Sequence, residues 1–328
     1  MSKGKPAILT GMQPSGELHV GNFLGALKNF VELQNSGTYD CYFFVADLHA
    51  LTGDSKSAGL ADKTRGVVMD YVAAGLDPDK STIFVQSQVT GHTELAWIFN
   101  TLTPMGELER MTQFKDKAGR QQKNINVGLF DYPVLQASDI LLYHPKLIPV
   151  GQDQVQHVEL TRSIARWFNK KYGEYFTEPQ VLLTNVPKVM SLIDPTKKMS
   201  KSLGSAHYIG INEEPAMILK KLKKAVSDSG DGQSAGGTNL LLLLEEFAHP
   251  AAVEYFFKQK KDKKIKFGEL KEQLADAMGV YFEEFREKRK ALSQDKKYID
   301  QVVRGGAARA QKVAGKTMEE VRERVGLL

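Results

Sequence analysis

The sequence predicts an α/β protein: a doubly wound parallel sheet covered by helices, followed by an all-helical second domain. Strand and helix patterns alternate through the first half of the chain, and beyond residue 213 every regular pattern is helical. Strands joined by crossover helices pair in parallel and are covered by helices on both faces. Ligands of such sheets bind at the carboxyl ends of the strands.

Three short runs of apolar, β-branched and aromatic residues predict the strands, at residues 6–12, 41–47 and 81–87. A helix is predicted over residues 20–34, because its apolar residues recur at spacings of three and four and fall on one face. In the second half, helical periodicity covers residues 213–226, 267–292 and 317–328, with a Gly/Ser-rich loop at 229–239.

Composition indicates an ordinary globular chain of 328 residues, since 42% are hydrophobic and 25% are charged. The longest apolar run, at 240–244, is far too short for a membrane-spanning helix. The first residues do not resemble a signal sequence, and the single cysteine, Cys41, cannot form an internal disulfide. We therefore expect a cytoplasmic protein.

The net charge of +5, from 44 basic and 39 acidic residues, permits a nucleic-acid partner without requiring one. Six of the lysines fall in the nine residues 258–266. Such a run is either a solvated face or part of a nucleic-acid surface, and the sequence leaves both open.

Residues 11–27 follow the first predicted strand, contain four glycines and lead directly into an amphipathic helix. Glycines let the backbone approach a ligand closely, and a helix amino terminus offers free N–H groups to anionic oxygens. This pattern predicts a phosphate-binding turn. It lacks the Gly-Lys-Ser/Thr of a P-loop and the glycine spacing of a dinucleotide site, so both of those classes are disfavoured.

Residues 197–205, KKMSKSLGS, form a second chemical signature. Lys198 and Lys201 flank small hydroxyl residues in a segment that predicts a mobile basic loop. Ammonium groups on such a loop can close on the β- and γ-phosphates of a nucleotide held by the glycine turn.

Together the two segments resemble the paired signatures of the class I aminoacyl-tRNA synthetases. Residues 19–22, HVGN, are similar to the HIGH signature, and residues 198–202 are the KMSKS signature in full. Within that class the chain resembles the bacterial tryptophanyl-tRNA synthetases from about Ala7 to its carboxyl terminus. The motifs that carry this resemblance are PSGELHVGN (14–22), ADLHALT (46–52), GELERMTQFK (106–115), YPVLQASDILLY (132–143), VGQDQVQHVELTR (150–162) and TMEEVRERVGL (317–327).

The resemblance implies a Rossmann-like, HUP-type catalytic domain at 1–187, a KMSKS loop at 188–206 and a helical tRNA anticodon-binding domain at 207–328, whose last helix can pack on either domain. It implies that ATP, with Mg²⁺, activates L-tryptophan to tryptophanyl-adenylate, and that tryptophan then passes to the 3′-terminal ribose of tRNA(Trp). The tryptophan carboxylate is already ionised at neutral pH, so its attack on phosphorus needs no general base. Positioning and charge stabilisation remain to be supplied. A homodimer without membrane contact is also implied.

The resemblance assigns ATP-binding roles to the glycine turn, to a ribose and adenine region and to the KMSKS loop. These residues are Gln13, Pro14, Ser15, His19, Gly21, Asn22, Gly151, Gln152, Asp153, Val189, Lys198, Met199, Ser200, Lys201 and Ser202. Lys198 and Lys201 are expected to hold the departing pyrophosphate, with Gln13 and Lys117 as further catalytic residues. No metal-ligating cluster of protein side chains is predicted, and the lone cysteine excludes an iron–sulfur site.

Asp139 is the predicted partner of the indole N–H, because a buried group that only donates needs an acceptor. It lies in the apolar helical pattern 135–142, where an unpaired carboxylate is costly. A purely structural Asp139 that bridges helices remains an alternative. The other implied tryptophan contacts are Tyr132 and Gln154 at the ammonium group, and Gln136, His49, Leu9, Ile148 and Val150, of which His49 equally suits a core histidine.

Other functions remain open at this stage. A tyrosyl-tRNA synthetase is the nearest alternative, because a phenol O–H could also donate to Asp139. Another nucleotidyltransferase with a HIGH-type turn would leave the helical half unexplained. A non-catalytic paralogue would retain binding without activation, although both signatures are intact here.

Overall fold

The computed structural model describes residues 4–53, 59–112, 126–184, 187–228 and 230–328. Its strands and helices are, in chain order, β1 (Ala7–Met12), α1 (Val20–Asn22), a π-helical segment (Phe23–Leu27), α2 (Lys28–Asn35), β2 (Asp40–Val45), α3 (Asp47–Ala50), α4 (Leu60–Ala73), β3 (Ser81–Val85), α5 (Gly91–Asn100), α6 (Met105–Glu109), α7 (Val127–Leu141), β4 (Leu147–Val150), α8 (Val155–Tyr172), β5 (Gln180–Leu183), α9 (Pro215–Lys224), α10 (Ala235–Phe247), α11 (Pro250–Lys261), α12 (Phe267–Tyr281), α13 (Glu283–Gln294) and α14 (Lys296–Val325).

The chain divides into two compact units. The first contains Met1–Gly16, Phe30–Asn185 and Asp295–Leu328, and the second contains Glu17–Asn29 and Val186–Gln294. Two segments of this division bear on the expected domain boundaries, which left the packing of the last helix open. Residues 17–29 group with the helical unit, and residues 295–328 group with the sheet.

The first unit is built on five parallel strands in the order β3-β2-β1-β4-β5, so the predicted doubly wound sheet is confirmed. β1 pairs with β2 along its whole length, from Ala7 opposite Asp40 to Met12 opposite Val45. On its other side β1 pairs with β4. The order of the strands therefore reverses between β1 and β4, which is the position where doubly wound sheets bind ligands.

The last helix, α14, belongs to the first unit because it packs directly on β3. Gly306 approaches β3 so closely that a Cβ atom there would overlap the carbonyl group of Ile83. Further along the helix, the Thr317 hydroxyl donates to the Leu142 carbonyl at 2.8 Å. Arg322 makes two hydrogen bonds of 2.6 Å to Glu94. These contacts explain why the carboxyl terminus groups with the sheet.

In the second unit, residues 17–29 are joined to the helical part by backbone pairing and by aromatic packing. The Val20 N–H donates to the Ile209 carbonyl at 2.9 Å, and the Ile211 N–H donates to the Leu18 carbonyl at 3.0 Å. The ring of Phe23 packs edge-on against Phe282, with centroids 5.1 Å apart. Among the described helices, none is both long and apolar enough to cross a bilayer.

Candidate active site

Four strands of the first unit end at the same edge of the sheet, and polar residues follow each of them. Gln13 follows β1, His49 lies in the short helix after β2, Gln86 follows β3, and residues 151–154 follow β4. Parallel strands place these segments together beside the reversal of strand order. The edge is thus the natural place to look for a small-molecule site in this unit.

Asp139, on α7, is the centre of a buried hydrogen-bond cluster. The residue is only 1% exposed. It is bonded to His49 Nε2 at 2.8 Å, to His92 Nδ1 at 2.6 Å and to Gln86 Nε2, which reaches both carboxylate oxygens at 2.8 and 2.9 Å. An ionised carboxylate can only accept, so the two histidine nitrogens that face it must both carry protons.

This cluster fixes the charge of Asp139. Burial alone would raise the pKa of the carboxyl group, but the hydrogen bonds from His49 and His92 outweigh it and hold the pKa well below its ordinary value. Asp139 therefore remains an acceptor throughout the physiological range. It also joins α3, the turn after β3 and α5, so the bridging role left open by the sequence is present. Its contact with an indole stays a prediction.

His92 has further hydrogen-bond contacts on the side away from Asp139. Its Nε2 lies 2.9 Å from the Tyr143 hydroxyl, and the Ser138 hydroxyl donates to its backbone carbonyl. Burial raises the pKa of Tyr143 strongly, so the hydroxyl keeps its proton. The Tyr143 hydroxyl and the Asp139 carboxylate thus contact the two nitrogens of one imidazole ring from opposite sides. These two contacts fix the orientation of the imidazole ring beside Asp139.

The sequence interpretation missed Gln86, His92 and Tyr143. Gln86 carried a detectable signal, because it is a polar residue directly after the apolar run 83–85 of a predicted strand. His92 lies in the first turn of α5 and Tyr143 lies just after α7, and neither has its hydrogen-bond partner nearby in the chain. Both were recognisable only as buried polar groups in need of a bond.

The remaining predicted tryptophan contacts lie in the same unit. Tyr132 is buried, with its hydroxyl 3.0 Å from His157 Nε2, and burial raises its pKa to about 12. Gln136 Nε2 lies 3.5 Å from Gln154 Oε1. Leu9 and Ile148 are buried in the apolar core, and Val150 is half-buried beside it.

His19 begins the helix of the glycine turn in the second unit. Its Nδ1 accepts the Asn22 N–H at 3.2 Å, and the Asn22 side-chain oxygen accepts the His19 N–H at 3.2 Å. This reciprocal capping box satisfies two backbone donors of the first turn. An imidazole that accepts through Nδ1 carries its proton on Nε2, so His19 is a neutral donor at that atom. Burial, with a smaller contribution from the Lys201 charge, lowers its pKa to about 4.

The KMSKS loop lies next to this turn within the second unit. The Met199 side chain is buried, and its N–H donates to the Val189 carbonyl at 3.0 Å. Lys201 Nζ donates to the Glu17 carbonyl at 2.8 Å. A Cβ atom added to Gly21 would lie 3.7 Å from Met199 Cβ. The two signatures are therefore adjacent, and a single anion could contact both.

The structure thus assigns the predicted site residues to two groups. Gln13, Pro14, Ser15 and residues 151–153 belong to the first unit, together with every predicted tryptophan contact. His19, Gly21, Asn22, Val189 and residues 198–202 belong to the second unit. Lys117 lies outside the described residues. No group of three or more His, Cys, Asp or Glu side chains in the described part of the chain could hold a metal ion.

Comparisons with known proteins agree on one family. The family model described as tRNA synthetases class I (W and Y) matches residues 1–283. A curated tryptophan–tRNA ligase from Gloeobacter violaceus is 47% identical over 330 residues, which cover 98% of this chain and 96% of that protein. The crystal structure of a tryptophanyl-tRNA synthetase from Campylobacter jejuni, complexed with ADP and tryptophan, is 33% identical, with a TM-score of 0.86 and coverage of 98% of this chain and 100% of that one. A tryptophanyl-tRNA synthetase structure from Mycoplasma pneumoniae is also 33% identical, with a TM-score of 0.87 and coverage of 99% and 98%.

Proposed function

The chain belongs to the class I tRNA synthetases for tryptophan and tyrosine, and from this membership we propose that it is a tryptophan–tRNA ligase. In the first step a carboxylate oxygen of L-tryptophan attacks the α-phosphorus of ATP. The bond from that phosphorus to the bridging oxygen breaks, pyrophosphate leaves and tryptophanyl-adenylate remains. In the second step the terminal ribose hydroxyl of tRNA(Trp) attacks the carbonyl carbon of the adenylate, and AMP leaves.

The observation that carries the choice of amino acid is the buried, ionised Asp139. Its carboxylate oxygens are held by three side chains from separate elements, so its position is fixed before a substrate arrives. We propose that one oxygen accepts the indole N–H, with Tyr132 and Gln154 at the substrate ammonium group. A phenol O–H could donate to the same carboxylate, so the cluster alone does not exclude tyrosine. The tryptophan assignment therefore also depends on the tryptophan-specific relatives.

Phosphate recognition is proposed for the two signatures of the second unit. In neutral His19 the Nδ1 atom accepts the Asn22 N–H, and the ring proton is on Nε2. We propose that Nε2 donates this proton in a hydrogen bond to a phosphate oxygen. Lys198 is exposed and Lys201 is half-buried, and both carry the positive charge that stabilises a departing pyrophosphate. We place Gln13, at the end of β1, and Lys117 among the residues that contact the nucleotide. Residues 151–153 would lie at the ribose and Val189 at the adenine.

Magnesium has no cage of protein ligands among the described residues. Mg²⁺ dehydrates reluctantly and commonly binds through substrate phosphates and water. We therefore propose that it enters as the ATP complex.

We also propose a homodimer formed through the first unit. Three large apolar side chains of neighbouring helices are widely exposed there: Trp97 at 71%, Met105 at 67% and Val127 at 79%. Contiguous exposed apolar patches commonly mark protein interfaces, and we propose that these three side chains contribute to one. Light scattering at micromolar protein should give twice the chain mass, and a monomer would contradict the proposal.

The single cysteine suits the reducing cytoplasm, where we place the reaction.

Amino-acid-dependent exchange of labelled pyrophosphate into ATP tests the proposed function. Each of the twenty amino acids is supplied in turn, and tryptophan alone should support exchange. Exchange with tyrosine would establish the alternative specificity. No exchange with any amino acid would favour a non-catalytic paralogue.

A further inference from the structure

The most strongly charged segment of the second unit, residues 258–266, has no role in the reaction described above. We call it the basic turn. It comprises the last turn of α11 and the loop before α12, and it contains six lysines and one acidic residue, Asp262. Lys258, Lys261, Lys263, Lys264 and Lys266 are exposed, and Lys260 is half-buried. In the described part of the chain none of the six forms an ion pair.

The basic turn is held in one conformation by its own backbone. The Lys264 N–H donates to the Gln259 carbonyl at 2.9 Å, and the Lys263 N–H donates to the Lys260 carbonyl at 3.0 Å. These two bonds are the Schellman arrangement that ends many helices. Beyond them, Ile265 is buried and its N–H donates to the Gly230 carbonyl at 2.8 Å. The lysines are therefore presented by a fixed loop.

Lys263 occupies the position in this arrangement where glycine is usual. Its φ of 56° lies in the left-handed region, which is unfavourable for a residue with a Cβ atom. Glycine at 263 would adopt the same conformation without strain. An observed outlier of this kind supports a hypothesis of function, here that the side-chain charge itself is used.

The helix dipole explains only part of the charge. Lysines in a last turn are favoured by the partial negative charge at the helix carboxyl terminus, which accounts for Lys258, Lys260 and Lys261. The effect decays within that turn. Lys263, Lys264 and Lys266 lie beyond it, so their presence needs another explanation.

An aromatic ring accompanies the charges. Phe257 is 38% exposed, and Lys260 Nζ lies 5.7 Å from its ring centroid. Lys261 is four residues further along the helix and falls on the same face. Exposed aromatic rings beside cationic side chains are the combination that binds unpaired nucleotides, by stacking bases and neutralising phosphates.

We propose that the basic turn binds the phosphate backbone of the tRNA substrate at an unpaired stretch, with one base stacked on Phe257. The proposal rests on the proposed function, because it identifies a contact surface for the RNA that the ligase would charge. RNA is the chosen partner because a regular row of phosphates matches five exposed ammonium groups. An anionic membrane surface could match both the charge and the exposed ring, but the proposed reaction supplies an RNA substrate and no lipid.

The test compares two double variants of the full-length chain that remove the same number of charges. Lys263→Gln/Lys264→Gln changes the basic turn, and Lys170→Gln/Lys171→Gln changes two exposed lysines in the last turn of α8 in the first unit. The affinity for tRNA(Trp) is measured from 50 to 300 mM KCl. Losing two phosphate contacts should weaken binding roughly tenfold or more near 100 mM salt and should lower the slope of log Kd against log salt by about 1.4. The control should stay within about twofold of the parent chain.

Two single variants separate binding from structure. Lys263→Gly relieves the left-handed strain, so its thermal midpoint should rise while tRNA affinity falls. Phe257→Leu should weaken tRNA binding without changing the salt slope, and Phe257→Tyr should restore it. Thermal unfolding of each variant shows that the fold is intact.

Three outcomes would overturn the proposal. The first is an unchanged affinity and salt slope in Lys263→Gln/Lys264→Gln. The second is an equal loss in the control variant. The third is binding of the parent chain to phosphatidylserine vesicles that this variant loses while tRNA binding persists. Tryptophan-dependent exchange by the parent chain is scored separately, since its absence would reject the proposed function rather than this surface.

Discussion

Replacing Asp139 with asparagine tests the proposed indole acceptor while preserving side-chain shape. Asparagine keeps one carbonyl oxygen but substitutes an amide NH₂ for the other. Three protein donors, His49 Nε2, Gln86 Nε2 and His92 Nδ1, lie 2.6 to 2.9 Å from the carboxylate oxygens. At least one of them would then face the new NH₂ group, which is also a donor. Losing a charge-assisted hydrogen bond from a buried site costs about 1.5–3 kcal/mol. We expect kcat/KM for tryptophan in the exchange reaction to fall by roughly 100-fold, which corresponds to about 3 kcal/mol.

The decisive comparison uses a tryptophan analogue in which sulfur replaces the ring N–H. The parent chain should prefer tryptophan over this analogue by roughly 100-fold, because the analogue lacks the N–H that is proposed to donate to the buried carboxylate. In Asp139→Asn the preference should shrink to a few-fold, since the acceptor has lost its charge. An equal preference in the two proteins would refute the contact, even if overall activity fell.

A matched control guards against a general loss of stability. Tyr71 is fully buried in the same unit, and its hydroxyl donates to the Phe44 carbonyl at 3.1 Å. Tyr71→Phe therefore removes a buried hydrogen bond that does not involve Asp139. It should lower the free energy of unfolding by about 1 kcal/mol and leave the preference between the two substrates unchanged.

Three further predictions concern the rest of the molecule. Lys201→Ala should slow tryptophan-dependent exchange at saturating substrate by about 100- to 1000-fold, and a change under threefold would contradict the proposed role. His19 has a pKa near 4 in the folded chain and 6.5 in its ordinary state, so the unfolded chain binds more protons between these values and stability falls as the pH drops from 6.5 to 4. Urea unfolding at pH 7 and pH 5 should show the part of this loss that falls above pH 5, about 2 kcal/mol, and His19→Asn should reduce it. Gly306→Ala should destabilise the fold by roughly 2 kcal/mol or more through overlap with Ile83, whereas Gly315→Ala, on an open part of the same helix, should be neutral or stabilising in thermal unfolding.

The fold class was predictable because its strongest elements carry clear patterns. The three predicted strands match β1, β2 and β3 to within two residues at each end. β4 and β5 were not predicted. Each has only four residues. β4 also contains Pro149, and a proline within a short apolar run argues against a strand when only the sequence is known. Their place beside β1 depends on pairing between residues far apart in the chain.

The site residues that belong to a sequence motif were predictable. The residues that reach the site only through tertiary packing were not. Asp139 stood out as a carboxylate in an apolar helix. Its partners His49, His92 and Gln86 come from positions 90, 47 and 53 residues away. Periodicity predicts which face of a helix is buried, but it does not predict which buried donors meet across elements. Those hydrogen bonds between elements keep Asp139 ionised.

The protonation state of His19, in the first of the two phosphate signatures, was likewise not predictable from the sequence. His19 needs a neutral Nδ1 to accept the Asn22 N–H, so a protonated imidazole would lose the helix cap. Burial is the main cause of its low pKa, and the ammonium group of Lys201 adds to it. Lys201 is placed there by its bond to the Glu17 carbonyl, two residues before His19. The Lys201 charge, which was predicted to act on phosphate, thus also helps to keep His19 neutral, as its helix cap requires. This coupling arises only because residues 17–29 fold with the KMSKS loop.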